Sequence, residues 1–149
     1  MANTFTQLLY HIVFSTKERR PLIRPVRAED LWRYIWGINK KLKSHLYRIN
    51  GVEDHVHILT HIHPTVALAK YLQTVKNSST SWIAREGVFP HWHGWQDGYA
   101  AFTHSIREKE PLTEYIKGQQ VHHATESYVD ELKRLLAEAG ITFDEKYLL

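Results

Sequence analysis

The chain has 149 residues, 43% hydrophobic and 23% charged, with a formal net charge of +3 and no cysteine. This is the composition of a globular protein rather than a disordered one, and the length suits one domain, residues 1–149, that buries about two thirds of its unfolded surface. Disulfides and thiolate metal sites are excluded, so any metal must sit on histidine, carboxylate or amide ligands. No apolar run reads as a signal peptide or a membrane span, so the expected location is cytoplasmic, with no membrane partner. Residues 1–50 hold ten of the nineteen Lys and Arg but only three of the sixteen Asp and Glu. A basic half suits a polyanion such as nucleic acid; a solvated helix face plus a basic loop would give the same count.

Thr6–Ser15 carries apolar residues on both faces, as in an interior strand. Lys17–Arg27 is a basic loop broken by Pro21 and Pro25. Glu29–Ser44 reads as a helix with Leu31, Ile35, Ile38 and Leu42 as its apolar stripe. Leu46–Ile49 is a short strand, Asn50-Gly51 a turn signal, and Val56–Ile62 the returning strand of a hairpin. Pro64-Thr65 opens a second helix to about Trp82, with Leu68, Leu72, Val75 and Trp82 inward. Arg85–Asp97 is an irregular loop rich in Trp and His, and Gly98–Thr103 a fourth strand. Pro111 suits the first turn of a third helix running to about His123. Ser127 and Asp130 resemble a capping box for a last helix that Gly140 ends. The order β-α-β-β-α-β plus C-terminal helices predicts a ferredoxin-like (RRM-like) α+β sandwich, with an antiparallel sheet and helices on one face.

Asp54-His55-Val56-His57-Ile58-Leu59 is the most informative stretch. Residues two apart on a strand share a face with Cα atoms roughly 6.5 Å apart, so His55 and His57 can converge on one ion while Val56 and Ile58 face the core. His61 and His63 share that parity, but His61 is roughly 13 Å further along the strand, too far for the same ion. His91 and His93 lie in the loop beside Trp92 and Trp95, where packing or stacking is the expected job. Far downstream, Tyr115 and Gln119 stand at i, i+4 on one helix face, and His122 falls on the same face.

With these motifs the chain resembles the single-tyrosine HUH transposases (His, hydrophobic, His), the transposase A proteins of the insertion-sequence 200/605 group and relatives associated with repetitive extragenic palindromes. The resemblance runs nearly end to end. It takes in Tyr10-His11-Ile12-Val13-Phe14-Ser15-Thr16-Lys17 with Arg19, Arg20 and Pro21, the His55-Val56-His57 motif and Trp95-Gln96-Asp97-Gly98-Tyr99-Ala100-Ala101-Phe102. It continues through Tyr115-Ile116 with Gln119 and His122-His123, and the tail from Gly140-Ile141 to Leu148. Two features depart from it: Gly118 inside the tyrosine helix, and the extra imidazoles His61 and His63.

The resemblance implies that Tyr115 attacks a DNA phosphodiester, forming a 5′-phosphotyrosine and releasing a 3′-hydroxyl. A phenol, with a pKa of about 10, is a weak nucleophile until polarised but a far better leaving group than an alkyl alcohol, so the link is reversible. His55, His57 and Gln119 are the implied metal ligands. Imidazoles favour Mn²⁺ in vitro, while abundance favours Mg²⁺ in the cell. His122 is a possible auxiliary in proton transfer or DNA contact. Lys17, Arg19, Arg20, Arg24 and Lys76 are candidate phosphate contacts, and Trp92 and Trp95 candidate stacking platforms. The implied partners are single-stranded DNA with hairpin ends and a second copy of the chain in a homodimer, with no small-molecule cofactor, in a prokaryotic cytoplasm acting on chromosomal or plasmid DNA. Competing readings are a domesticated palindrome-processing relative, a non-catalytic nucleic-acid-binding module, and a metal-dependent hydrolase. The last needs a carboxylate base near the metal, and Asp54 has the wrong strand parity.

Overall fold

The computed structural model describes residues 3–148. Four strands, β1 (Leu9–Ser15), β2 (His45–Gly51), β3 (His55–His61) and β4 (Ala100–His104), form an antiparallel sheet in the order β2-β3-β1-β4. Helices α1 (Ala28–Lys41) and α2 (Leu68–Glu86) are the crossovers of the expected β-α-β-β-α-β order. After β4 come α3 (Lys109–Lys117), α4 (Gln119–His122) and α5 (Tyr128–Glu138). No helix among the described residues is long and apolar enough to cross a membrane.

Strand alternation sorts the side chains onto two covered faces. Ile12 and Phe14 of β1 and Val56 and Ile58 of β3 join Leu31 and Ile35 of α1 and Leu72 and Val75 of α2 in the larger core. On the opposite face Leu9 and Leu59 receive Ile116 of α3, while Val13 and Phe102 receive Tyr128, Leu132 and Leu136 of α5. Helices therefore cover both faces, not one as the sequence order suggests. The apolar residues on both sides of β1 are the cause, because a central strand of that composition needs a second layer.

Asn50-Gly51 is not the hairpin turn. β2 runs through it, with Asn50 opposite His57 and Gly51 opposite Val56. The chain turns at residues 52–54, where the Val52 amide donates to the His55 carbonyl at 3.1 Å. Glycine is required at 51 by a close approach, since a Cβ there would lie 2.3 Å from the His55 carbonyl oxygen. Helix α2 begins at Leu68, later than Pro64-Thr65, and ends at Gly87, whose φ of 61° is left-handed and lets the Val88 amide reach the Ile83 carbonyl at 3.3 Å. The third helix breaks at Gly118 (φ −88°, ψ 15°) into α3 and α4. Ser127 caps α5 as expected, its Oγ accepting from the Asp130 amide at 3.2 Å, and Gly140 (φ 71°) follows the helix end.

Candidate active site

β3 carries the histidine pair because its odd-numbered residues face α3 and α5. His55 and His57 are both fully buried there. Asp54, next in the chain, accepts from His55 Nδ1 at 2.7 Å. A proton held on Nδ1 leaves the Nε2 lone pair free to ligate. His57 Nδ1 makes a 2.8 Å hydrogen bond with Nε2 of His11 on β1, and the two rings stack with centroids 5.1 Å apart. Both Nε2 atoms are thereby turned away from the strand toward the helices.

What they meet is Glu131 of α5, also fully buried. Its Oε1 lies 2.9 Å from His57 Nε2, 3.0 Å from His123 Nε2 and 3.3 Å from His55 Nε2. The ligand atoms of His55, His57, His123 and Glu131 all fall within 4.8 Å of one another. That spacing suits donors about 2.1 Å from a shared divalent ion. Two buried polar atoms at this place make no hydrogen bond, His55 Nε2 and Gln119 Oε1. An orphaned buried acceptor costs free energy unless something satisfies it. A cation would satisfy both, so these residues fit a metal, and their nitrogen content suits Mn²⁺ better than Mg²⁺.

Tyr115 reaches the same carboxylate. Its hydroxyl donates to Glu131 Oε2 and accepts from Arg134 Nη2 at 2.7 Å. Its ring stands edge-on to His57, with centroids 5.9 Å apart. The helix that carries it is tied to the sheet by Asn50. The Asn50 amide donates to the carbonyls of Ile116 (3.0 Å) and Lys117 (3.1 Å) and to Gln120 Oε1 (2.9 Å), and Gln120 Nε2 donates back at 2.9 Å. Those carbonyls lie in the last turn of α3, so Asn50 caps the helix from β2.

Electrostatics follows the geometry. Burial opposes the Glu131 charge, but the close imidazoles of His123, His55 and His57 outweigh it and hold the carboxyl far below the usual carboxylate range. Burial lowers His57 to about 4, with Glu131 opposing and His55 and His123 adding to the fall. His11 is pushed well down by burial and by His57. At His55 burial is overcome by the hydrogen bond to Asp54 and the nearby Glu131 carboxylate, and its pKa rises. The Tyr115 phenol is pushed up by burial and by Glu131, with Arg134 opposing.

The sequence-derived residues divide accordingly. His55, His57, Tyr115 and Gln119 come together within one chain, and Gln119 Nε2 lies 3.4 Å from Glu131 Oε2. His122 stands beside Tyr115, with ring centroids 5.3 Å apart, and its Nε2 bonds Glu126 at 2.6 Å. His61 and His63 stay apart at the far end of β3, bonded to the Thr6 carbonyl and the Thr65 hydroxyl. Lys17 and Arg24 are exposed, and Arg20 pairs with Glu18 at 3.3 Å. Arg19 lines a cavity of about 1220 Å³ with Trp36, Arg48, Lys117 and His123, and the Nε atoms of both arginines are buried without partners. Lys76 and Trp95 are engaged inside the fold. Lys76 Nζ donates to the Gln96 and Gly98 carbonyls at 2.8 and 2.7 Å, and burial lowers its pKa to about 8, with Asp97 opposing. Trp95 is 7% exposed, donates to Ser79 Oγ at 2.9 Å and packs on Phe14, so it is a core residue with no face for a base. Trp92 is partly buried against it.

Sequence reasoning missed Glu131, His123 and Arg134 as members of the cluster. It also counted a carboxylate near the histidines as lacking, which Glu131 corrects. The spacing Glu131-x-x-Arg134 on a capped helix is a one-face signal, but nothing local says which face meets Tyr115.

The sequence profile of the IS200-like transposases matches residues 4–119, and the chain belongs to that family. The match takes in the sheet, both crossover helices, Tyr115 and Gln119, and stops before His123, Glu131 and Arg134. No match is found among proteins of curated function. Among solved structures the chain is similar to a candidate transposase from Deinococcus radiodurans R1, with a TM-score of 0.60 and 22% identity over 80% of this chain and 96% of that one. It is also similar to a REP-associated tyrosine transposase bound to a REP hairpin, with a TM-score of 0.61 and 12% identity over 83% of this chain and 74% of that one. At these identities the likeness shows a shared fold.

Proposed function

We propose that this transposase cleaves and rejoins single-stranded DNA at hairpin-marked ends through a 5′-phosphotyrosine on Tyr115, with a divalent metal held by His55, His57 and Gln119. The observation that carries the reading is one carboxylate: Glu131 gathers the imidazole nitrogens on one oxygen and the Tyr115 hydroxyl on the other. A nucleophile and a cation-ready cluster bridged by a single side chain are the two parts that phosphoryl transfer requires. His123 and Glu131 belong to the same proposed donor set. When bound, the metal would polarise the scissile phosphate.

The chain's own residues do the rest. Asp54 and His11 fix the orientation of His55 and His57 from behind. Asn50 and Gln120 hold the tyrosine helix against β2. Tyr115 Oη, oriented by its hydrogen bond to Glu131, forms the bond to phosphorus as the bond to the 3′ oxygen breaks, and the phenol proton is released to water. The cavity beside His123, where Arg19, Arg33, Arg48 and Lys117 stand among Glu29, Glu53, Asp54 and Glu126, offers Arg19 as a phosphate contact, with Lys17, Arg20 and Arg24 nearby in the same loop. The hairpin carried by one structural neighbour supports the same partner for this chain. Tyr115 meets the histidines of its own chain, so cleavage is proposed to need one copy, with a homodimer holding two ends for joining.

The test uses hairpin-bearing single strands from the flanking DNA, labelled at either end, with Mn²⁺ or Mg²⁺ and with EDTA. The reading predicts metal-dependent cleavage that leaves the 5′ side free with a 3′-hydroxyl and the 3′ side on protein. Tight hairpin binding without cleavage under any metal would establish a binding module instead. Cleavage confined to chromosomal palindromes, with none at element ends, would establish the domesticated relative.

A further inference from the structure

We propose that Arg134 is a catalytic residue: its guanidinium stabilises the Tyr115 oxygen as negative charge builds on it, both when the tyrosine attacks and when it leaves. The inference rests on the reading above. It concerns a helix that lies beyond the stretch matched to the family, since the match ends at residue 119.

Arg134 is built into place. Glu126 accepts from its Nε at 3.4 Å and from Nη2 at 3.1 Å, and Glu138 accepts from Nη1 at 3.3 Å. A guanidinium has five N–H donors in a rigid plane, so these bonds orient it; the second Nη2 hydrogen has the phenol as its short partner, with His122 Nε2 farther off at 3.4 Å. That hydrogen is directed at Tyr115 Oη over 2.7 Å, and the guanidinium carbon lies 5.5 Å from the centre of the tyrosine ring. Arg134 is three residues from Glu131 on one face of α5, so a single helix presents a hydrogen-bond acceptor and a fixed cation to the same oxygen. The packing of Leu132 and Leu136 against Val13 and Phe102 sets where that helix lies.

The two groups divide the work. In cleavage the Tyr115 Oη–P bond forms, the P–O3′ bond breaks, and the phenol proton, hydrogen-bonded to Glu131 at the start, is released to water. The 3′ oxygen departs and becomes a hydroxyl with a proton from water. In resealing a 3′-hydroxyl attacks phosphorus and gives its proton to water, the P–O3′ bond forms as the Oη–P bond breaks, and the departing phenolate is received by Arg134 before it regains a proton from water. A donor preorganised on developing charge typically contributes about 10²–10³ in rate. Because the same oxygen is nucleophile and leaving group, loss of Arg134 slows both directions.

The experiment compares single-turnover cleavage and resealing in wild type, Arg134→Ala and Arg134→Lys, with hairpin affinity and the thermal midpoint measured alongside. Arg134→Ala should lose about 100-fold in both rates with affinity unchanged within twofold. Guanidinium chloride at tens of millimolar should restore at least tenfold of the Arg134→Ala rate while leaving wild type unaffected. Arg134→Lys, which keeps the charge for Glu126 and Glu138 but not the planar fork, should stay well below wild type. A merely structural role would show as a fallen thermal midpoint with no guanidinium response, and would overturn the proposal. Equal or faster cleavage by Arg134→Ala would also overturn it, marking Arg134 as a restraint on Tyr115. If wild type itself forms no adduct, the phosphotyrosine reading fails and this proposal with it.

Discussion

Asn50→Ala tests how the tyrosine is held over the histidines. Asn50 is 8% exposed, and its amide serves the last two carbonyls of α3 and the Gln120 side chain. Alanine removes these bonds and the return bond from Gln120, leaving the Ile116 and Lys117 carbonyls and the Gln120 side chain, at the wall of the cavity, each one partner short. At about 1 kcal/mol for each of three net hydrogen bonds, the expected loss is about 3 kcal/mol. With a urea slope of about 2 kcal/mol per molar, the unfolding midpoint should fall by about 1.5 M without a change of slope. Asn50→Asp is the control: it keeps the volume but offers the two carbonyls a carboxylate instead of a donor, so it should be at least as damaging. A loss below about 0.5 kcal/mol in the alanine variant would refute the idea that β2 anchors the tyrosine helix.

Two further predictions come from the backbone and from protonation. Gly118 has a backbone that L-residues tolerate, and a Cβ there would meet only the Glu114 and Tyr115 carbonyl oxygens, at 3.5 and 3.8 Å. Gly118→Ala should therefore stabilise the protein by about 0.4–1 kcal/mol in denaturant unfolding; destabilisation would show that the α3–α4 break needs glycine. His11 and His57 have folded pKa values below the unfolded value of about 6.5, His57 at about 4. The unfolded chain then binds more protons, so their contribution is present above about pH 6.5 and is lost as pH falls toward 4. His55, shifted upward, offsets one of the two. The thermal midpoint should be lower at pH 5 than at pH 7.5, and a rise on acidification would contradict the assignment of His11 and His57 as neutral.

Local periodicity revealed what local chemistry decides. The HUH strand and the α5 cap are patterns two and three residues long, and each appears in the fold; Tyr115 and Gln119 come together as expected, but across the Gly118 break, on α3 and α4. Asn50-Gly51 misled because the pair is a strong turn signal, whereas here the asparagine amide caps a helix 66 residues away and the glycine admits a close carbonyl. Trp95 and Lys76 looked available because a loop and a polar helix run surround them. Their partners, Ser79 and the Gln96–Gly98 carbonyls, become visible only once α2 lies along that loop. Glu131 was the largest omission. Its contact with His57 spans 74 residues, and a glutamate on an amphipathic helix reads as a solvated one until the helix is docked.

The central claim is that Tyr115 is the nucleophile, and peptide mass mapping of the covalent adduct tests it most directly. Protein incubated with a hairpin-bearing single strand and Mn²⁺ would be digested with protease and nuclease. The account predicts a nucleotide mass on the peptide containing Tyr115, absent with EDTA and absent in Tyr115→Phe, which should still bind the hairpin. An adduct on any other residue, or one that survives in Tyr115→Phe, would contradict it.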